Sequence, residues 1–203
     1  MGFPAIKKDK YSYADYLTWH DGIRREIIDG IVYEMKFDSD DEITAMSPAP
    51  NRRHQEISGN LFMLISVYLK GKSCRVYTAP FDVRLSKMKT EEKEIFNIVQ
   101  PDLSVFCDQN KLDDKGAKGS PDWAIEILSP FSVKRDLGIK NNLYQVYGVQ
   151  EYWVIDPVKE TILVYTPNDQ NMFSTPKEFI KEAIVTPVLF TDLKISLQDV
   201  FSI

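Results

Sequence analysis

The sequence predicts a β-rich mixed α/β (α+β) fold with two principal helices, in a single domain spanning residues 1–203. The first observation is size: 203 residues, 43% hydrophobic and 12% aromatic, suffice for a sizeable core. The second is patterning. Many short β-rich runs are bounded by turn residues, whereas two main segments carry helical spacing of apolar residues. No internal repeat, low-complexity segment or linker marks a domain boundary.

The first half of the chain is predicted to hold a short helix, a β-hairpin, a loop and the clearest helix. Asp29–Gly30, between two β-rich runs, is a strong two-residue turn signal. Apolar residues recur at steps of three and four from Ile57 to Leu69, and Gly71 stands where a helix cap belongs. The predicted ranges are helix 13–19, hairpin 25–35, loop 37–52 and helix 57–69.

The second half is predicted to contain most of the strands and the second principal helix. A charged segment at 86–94 and a polar loop at 108–120 separate these elements. Ser132 stands where it can cap the second helix. The predicted strands are 74–78, 82–85, 96–106, 123–128, 188–190 and 194–197, the helix is 133–147, and a further hairpin joins 151–155 to 161–165.

Charge and cysteine content exclude several classes of protein. With 25 basic and 30 acidic residues, the net charge of −5 excludes a polybasic protein that coats nucleic acid, although a local basic channel stays possible. Cys74 and Cys107 are too few for a disulfide scaffold and lack zinc-type spacing. The chain starts without a signal-peptide pattern, and its longest helical apolar stretch, 61–69, is too short for a membrane. We therefore expect a soluble, reduced, cytoplasmic protein.

Two acidic residues face each other if strands 97–106 and 123–128 form an antiparallel hairpin. The register that pairs Ser104 with Ala124 also pairs Asp102 with Glu126. In that register the opposite face is wholly apolar, as a core-facing sheet requires; its residues are Leu103, Val105, Trp123, Ile125 and Ile127.

Such a pair of carboxylates suits a divalent cation. Directly opposed side chains have Cβ atoms about 5 Å apart, and like charges at that distance are destabilising unless something neutralises them. Two carboxylates with backbone carbonyl and water suit octahedral Mg²⁺, which can activate water and stabilise phosphoryl charge. The alternative is that Asp102 and Glu126 point into solvent and never meet.

A lysine on the following helix could complete a site for phosphodiester cleavage. Asp136, Lys140 and Tyr144 are spaced four apart and share a helix face, which can bring Lys140 over the end of the sheet. Lys140 could then stabilise developing charge or position the attacking water. The alternatives are a favourable helix-dipole contact for Asp136 and an ordinary surface ion pair.

Three runs of sequence resemble the Uma family of restriction endonuclease-like proteins, within the PD-(D/E)XK nuclease superfamily. They are residues 98–105 (IVQPDLSV), 121–130 (PDWAIEILSP) and 148–157 (GVQEYWVIDP), joined by Asp136, Lys140 and Tyr144. The resemblance covers roughly residues 12–201. It implies a restriction-endonuclease-like core: a central mixed β-sheet flanked by helices, here with extra β-hairpins.

The resemblance implies a metal site with one departure from the superfamily pattern. Asp102 and Glu126 correspond to the ligands of Mg²⁺ or Mn²⁺. The superfamily lysine belongs two residues after Glu126, where this chain has Leu128, so Lys140 is the natural substitute. Further candidates are Glu26, as an extra ligand or a plain strand residue, and His54, as a phosphate or water contact or a structural histidine; Asp82 is a weaker one.

The function that follows is a Mg²⁺-dependent endonuclease acting on DNA, with Asp102, Glu126 and Lys140 as catalytic residues. Basic residues could line a groove for the DNA backbone, or form an ordinary solvated surface; they are Arg52, Arg53, Lys70, Lys72, Arg75, Lys134 and Arg135. The main alternative is a catalytically degenerate nuclease fold kept for binding or assembly, which Leu128 and the acidic balance favour.

The sequence gives little support to two other enzyme classes, and it is compatible with a homodimer. A cysteine hydrolase using Cys74 or Cys107 lacks a histidine at recognisable spacing. A retaining glycosidase could use an acid pair at this separation, but the segments lack an aromatic sugar platform. A homodimer would place two sites on the two strands of a duplex. Burial in the core explains the candidate interface residues equally well; they are Tyr152, Trp153, Val200 and Phe201.

Overall fold

The computed structural model describes residues 8–35, 45–46 and 50–202. The helical elements are α1 (Tyr13–Tyr16), α2 (Arg52–Leu69), a π-helical turn (Arg135–Lys140), α3 (Asn141–Val146) and α4 (Leu197–Val200). Single 3₁₀ turns occur at Glu92–Glu94 and Gln109–Lys111. No helix in the described ranges is long and apolar enough to cross a membrane.

Strands make up most of the remaining structure. They are β1 (Arg25–Ile28), β2 (Ile31–Met35), β3 (Ala45–Met46), β4 (Arg75–Thr78), β5 (Val83–Arg84), β6 (Ile98–Val99), β7 (Leu103–Phe106), β8 (Leu112–Asp113), β9 (Gly116–Lys118), β10 (Trp123–Ile127), β11 (Glu151–Asp156), β12 (Thr161–Tyr165), β13 (Lys177–Ile180), β14 (Ile184–Val185) and β15 (Ile195–Ser196).

These strands form two large mixed sheets and one small pair. The first sheet has the strand order β3-β2-β1-β6-β5-β9-β8, the second has β13-β12-β11-β10-β7-β4, and β14 pairs with β15. In the second sheet β10 and β11 run parallel, whereas β7 and β10 run antiparallel. One face of the second sheet packs on α2 and the other on α3. The predicted mixed sheet flanked by helices, with extra hairpins, is confirmed.

The register predicted for the central hairpin is also confirmed. Trp123 pairs with Val105, and Ala124 pairs with Ser104. The predicted apolar face is fully buried against α2, and it consists of Leu103, Val105, Trp123, Ile125 and Ile127. Alternation of side chains across the pleat therefore determines which side of these strands faces the core.

The predicted strand 96–106 is two strands that belong to different sheets. β6 lies in the first sheet and β7 in the second, and the chain passes from one to the other at Gln100–Asp102. Pro101 has no N–H to give to a ladder, which favours a break there. The N–H of Gln100 instead donates to Glu26 Oε1 at 2.7 Å. This crossing places Asp102 where the two sheets meet.

The second principal helix begins as a π-helical turn. Arg135 and Asp136 are both buried, and the next buried side chain is Lys140, five residues after Arg135 and four after Asp136. A π-turn widens the helix by one residue and is common at functional sites. It brings these three charged side chains under the sheet together with Tyr144 of α3.

Several predicted boundaries are corrected. Residues 188–190 form no strand, and the pair there is β14 with β15, after which Leu197 begins α4. The predicted polar loop 108–120 contains the hairpin β8–β9, whose Gly116 has a φ of +118°, which suits glycine. The predicted loop 37–52 lies largely outside the described residues, although Ala45–Met46 pair with β2.

The prediction of two reduced cysteines is wrong. Cys74 and Cys107 form a disulfide with an S–S distance of 2.06 Å. The strand register explains this bond. Arg75 pairs with Phe106 between β4 and β7, so Cys74 and Cys107, which adjoin these two residues, lie opposite each other. Motif spacing could not reveal the bond, because the pairing depends on strand register across 33 residues.

Glu151, at the start of β11, is a fully buried carboxylate away from the site described below. Its Oε1 accepts a hydrogen bond from Trp153 Nε1 at 2.7 Å, and its Oε2 accepts one from the N–H of Val188 at 2.8 Å. Burial nevertheless raises the pKa of Glu151 to about 7, because these neutral donors only partly offset desolvation.

We expect Glu151 to make the protein less stable as pH rises from 4.5 to 7. In that window the unfolded chain releases the Glu151 proton while the folded chain keeps it, so ionisation favours unfolding. The cost reaches roughly 3 kcal/mol for a shift of this size. Urea denaturation of wild type and Glu151→Gln should give a stability difference that changes with pH in this direction. A pH-independent difference would contradict the assignment, and the exposed Glu182→Gln is the control.

Candidate active site

A cavity of about 280 Å³ lies where the two sheets meet, and it brings together most of the site residues predicted from sequence. Glu26 comes from β1, Glu126 from β10 and His54 from α2. The other predicted residues lining it are Asp102, Asp136 and Lys140. Tyr144 lies behind the cavity wall and reaches it through Glu126.

Lys140 is buried between two carboxylates. Its Nζ lies 2.8 Å from Glu126 Oε1 and 2.8 Å from Glu26 Oε1. The hydroxyl of Tyr144 donates to the same Glu126 oxygen at 2.8 Å. Burial alone would lower the pKa of Lys140, but the charges of Glu126 and Glu26 outweigh burial and raise it. Lys140 is therefore charged, and it fixes both carboxylates in place.

Glu26, a residue of β1, lines the cavity. It is fully buried, and its Oε1 accepts from both Lys140 and the N–H of Gln100. Burial would raise the pKa of Glu26, but the charges of Lys140 and Arg135 lower it overall. Its carboxylate thus connects β1 to the segment that follows β6 and to the π-helical turn.

Two carboxylate oxygens at the site are buried without a hydrogen bond. Among the residues that the structure describes, Glu26 Oε2 and Asp136 Oδ1 have no hydrogen-bond partner. The Nε of Arg135 lies 3.8 Å and 3.6 Å from these oxygens respectively, beyond hydrogen-bond distance. Burial raises the pKa of Asp136, with Lys140 and Arg135 opposing that effect.

Asp102 lies at the mouth of the cavity, paired with His54. Asn51 accepts a hydrogen bond from the N–H of His54 at 2.9 Å, which caps α2 and fixes His54 in its first turn. His54 Nε2 lies 3.3 Å from Asp102 Oδ2, and the N–H of Ile127 donates to that same oxygen at 2.7 Å. Burial lowers the pKa of His54, but the hydrogen bond and charge of Asp102 raise it overall.

Acidic groups outnumber permanently charged basic groups around the cavity. The four carboxylates are those of Glu26, Asp102, Glu126 and Asp136, and the three cations are Arg24, Arg135 and Lys140. Burial raises the pKa of Glu126 to about 8 despite Lys140, and the neighbouring acids add to that rise. A divalent cation beside Glu126 would favour its charged form and take the place of its proton.

The residues present fit a hard cation as a partial ligand set. Carboxylate oxygens are the ligands that Mg²⁺ and Mn²⁺ prefer, and Mg²⁺ usually takes one or two carboxylates and keeps several waters. Within the described ranges no group of three or more His, Cys, Asp or Glu side chains is arranged as a complete metal cluster. Asp102 and Glu126 would therefore supply two ligands, with water or substrate as the others.

Sequence reasoning missed Arg24 and Gln100. Gln100 accepts from Arg24 Nε through Oε1 at 2.5 Å, and it donates to Asp82 Oδ1 at 2.7 Å. Arg24 is thereby held at the wall of the cavity. The sequence feature that could have identified Gln100 is its position directly before the Pro101–Asp102 doublet. Asp82, the weaker candidate, does not line the cavity and contacts it only through its hydrogen bond with Gln100.

The basic residues predicted to form a groove are dispersed. Arg53 contacts Glu160 at 2.5 Å, Lys72 lies 3.5 Å from Asp192, and Arg52 is an exposed residue near Glu56. Arg135 is buried in the cavity wall. Of these seven basic residues, Arg135 alone lines the cavity.

The residues predicted at a homodimer interface are core residues. All four are at most 2% exposed, and they are Tyr152, Trp153, Val200 and Phe201. Their apolar character is explained by packing between the second sheet and its neighbouring elements. Of the two predicted explanations, burial in the core is therefore the correct one, because side chains already buried within one chain cannot contact another.

Comparison with known proteins agrees with this architecture. The chain is 27% identical over 169 residues to the uncharacterized protein slr1290 of Synechocystis sp., covering 82% of this chain and 79% of that protein. A crystal structure of a putative nuclease belonging to DUF820 from Anabaena variabilis superposes with a TM-score of 0.71 at 22% identity. The superposition covers 95% of this chain and 98% of that one, and it shows a shared fold. The Uma2 family model, described as "Putative restriction endonuclease", matches residues 13–198, and the chain belongs to that family.

Proposed function

We propose that this protein is a divalent-metal-dependent endonuclease that hydrolyses phosphodiester bonds in DNA. The observation that carries the proposal is the position of Lys140, 2.8 Å from Glu126 in the cavity that Asp102 also lines. In the nuclease superfamily this positive charge comes from a lysine on the strand, at the position that Leu128 occupies here. In this chain a lysine on the following helix would supply the same charge. Membership of a restriction endonuclease family supports the same activity.

Asp102 and Glu126 would hold Mg²⁺ or Mn²⁺. When bound, the metal supplies a Lewis acid for a phosphoryl oxygen and lowers the pKa of bound water. The protein's part is to keep the two carboxylates in place. The N–H of Ile127 holds Asp102, and Lys140 and Tyr144 hold Glu126 from the interior side.

Lys140 and Arg24 would stabilise negative charge on the phosphate groups of the substrate. Lys140 is charged and excluded from water, so it stabilises negative charge that develops on the phosphoryl group more strongly than an exposed lysine would. Arg24, held by Gln100, offers the cavity a guanidinium that can bind a phosphate. His54 beside Asp102 provides a second donor at the mouth.

A degenerate binding module is the alternative, and one observation favours it. Lys140 is neutralised by carboxylates on both sides and is buried, which is also what a purely structural lysine requires. A binding module need not hold metal at Asp102 and Glu126, so metal dependence separates the two functions.

Cleavage of supercoiled plasmid DNA tests the proposal. We expect nicking or linearisation with Mg²⁺ or Mn²⁺ and none in EDTA, because hydrolysis depends on a metal held by the two carboxylates. The substrate conversion is followed on agarose gels at several metal concentrations. Cleavage that persists in EDTA, or no cleavage with either metal, would contradict a metal-dependent endonuclease.

A homodimer and a cytoplasmic location complete the proposal. Two copies would place one site on each strand of a duplex, through a surface other than the four core residues named above. Sedimentation measures the assembly. A cytoplasmic location requires Cys74 and Cys107 to be reduced in the cell, so the disulfide of the structure argues against it. Thiol titration of protein isolated under alkylating conditions decides the point: two free thiols would support a cytoplasmic location, and none would contradict it.

A further inference from the structure

A second cavity, of about 220 Å³, adjoins the candidate active site. Arg24, His54 and Asp102 line both cavities, so the two meet at the proposed metal ligand Asp102. A molecule bound in the second cavity therefore lies beside Asp102. This arrangement is what a substrate-binding subsite requires.

The walls of the second cavity come from α2 and from the end of β4. Gln55, Ser58, Gly59 and Phe62 lie at steps of three, one and three on one face of α2, and Thr78 faces them. Phe62 is 37% exposed, an aromatic ring left at the surface of the cavity. A Cβ built at Gly59 would meet no atom within 4 Å, so this glycine keeps space open inside the subsite.

The chemistry of the walls matches a nucleotide. Among the described residues lining the second cavity, Arg24 supplies positive charge, His54 can donate a hydrogen bond, and Asp102 at the junction is the one acid. Cationic side chains bind phosphate, and exposed aromatic rings stack on bases of any sequence. Ser58 and Gln55 add hydrogen-bonding groups. In a chain of net charge −5, this is a local surface suited to an anion.

We propose that the second cavity binds the nucleotide next to the scissile phosphate, with its base stacked on Phe62 and its phosphate at Arg24. The inference rests on the proposed nuclease function and specifies its substrate: a base whose face lies on the Phe62 ring has to leave the base stack, which costs least for a nucleotide that is already unpaired. The protein therefore prefers DNA that is single-stranded or locally unpaired at the cut.

Two opposite changes test the subsite. Phe62→Ala removes the stacking platform, and Gly59→Leu fills the cavity while replacing a poor helix former by a good one. We expect each to weaken binding of short fluorescein-labelled single-stranded DNA by roughly five- to a hundredfold, the range for losing one base–aromatic stack. Binding is measured by fluorescence anisotropy with Ca²⁺ in place of Mg²⁺, and KM for cleavage should rise in parallel.

The matched control is Met63→Ala. Met63 is 55% exposed, lies next to Phe62 on α2 and lines neither cavity, so its truncation should leave DNA affinity within twofold. Thermal melting by circular dichroism checks that each variant is folded. Affinity in Phe62→Ala and Gly59→Leu equal to that of Met63→Ala would overturn the subsite.

Two further results separate the subsite from the nuclease proposal. Wild-type protein that binds single-stranded DNA through Phe62 but never cleaves it would support the subsite and contradict the nuclease. Tighter binding of fully paired duplex than of single-stranded DNA would contradict the unpaired-nucleotide specificity even if cleavage occurs.

Discussion

Replacing Lys140 by methionine is expected to destabilise the protein by about 3–5 kcal/mol, the range for removing one partner of a buried ion pair. Lys140 is 1% exposed, and its ammonium lies 2.8 Å from both Glu26 and Glu126. Without it, buried carboxylates must take up protons or remain charged in a medium that solvates them poorly. Urea or guanidinium denaturation measures the loss in free energy of unfolding.

The Lys140 result has an internal check. In the double variant Lys140→Met/Glu26→Gln, one buried charge is removed together with its partner, because the lowered pKa of Glu26 keeps that carboxylate ionised beside Lys140, so part of the lost stability should return. Lys159→Met, at a lysine whose side chain is 73% exposed beside Asp156, is the control and should change stability by at most about 1 kcal/mol. A loss in Lys140→Met as small as in this control would mean that the buried cluster contributes little to folding.

Asp102→Asn is expected to reduce DNA cleavage by more than about a hundredfold while the protein stays folded. Changes to outer-shell partners of metal ligands already cost up to about a hundredfold, and a direct ligand should cost more. The asparagine side-chain oxygen can still accept the hydrogen bond from Ile127, so the local structure should survive. Initial rates of plasmid nicking at saturating Mn²⁺ measure the effect.

The chain contains a matched control in its second Pro-Asp doublet. Asp122, after Pro121, accepts a hydrogen bond from the N–H of Cys107 at 2.7 Å, much as Asp102 does from Ile127. Asp122 does not line the cavity. Asp122→Asn should therefore cleave DNA at close to the wild-type rate, and equal losses in both variants would indicate structural damage and not a missing ligand.

The central hairpin and its acids could be predicted from sequence because periodicity determines faces. Alternation from Leu103 to Phe106 and from Trp123 to Ile127 determines which side chains face the core; a slip of two residues would keep the same faces, and the structure has the predicted register. The four-residue spacing of Asp136, Lys140 and Tyr144 likewise predicted one inward face, and all three are buried. Local pattern is sufficient where one strand pair or one helix decides the arrangement.

The rest of the site depends on contacts between distant segments. Neither the switch of sheets at Pro101 nor the hydrogen bond from Gln100 to Glu26 follows from local pattern, because both depend on how the first sheet docks on the second. The same holds for Arg24, whose position is set by Gln100, and for the disulfide, whose position is set by strand register. The π-helical turn is also invisible to a search for α-helical spacing.

Calorimetric titration of Mn²⁺ into wild type, Asp102→Asn and Asp122→Asn tests the central claim most directly, since it measures the metal site without requiring the correct DNA substrate. The account predicts binding to wild type and to Asp122→Asn, and none to Asp102→Asn. Absence of binding to wild type at millimolar Mn²⁺, or equal binding to all three proteins, would contradict a metal site at Asp102 and Glu126.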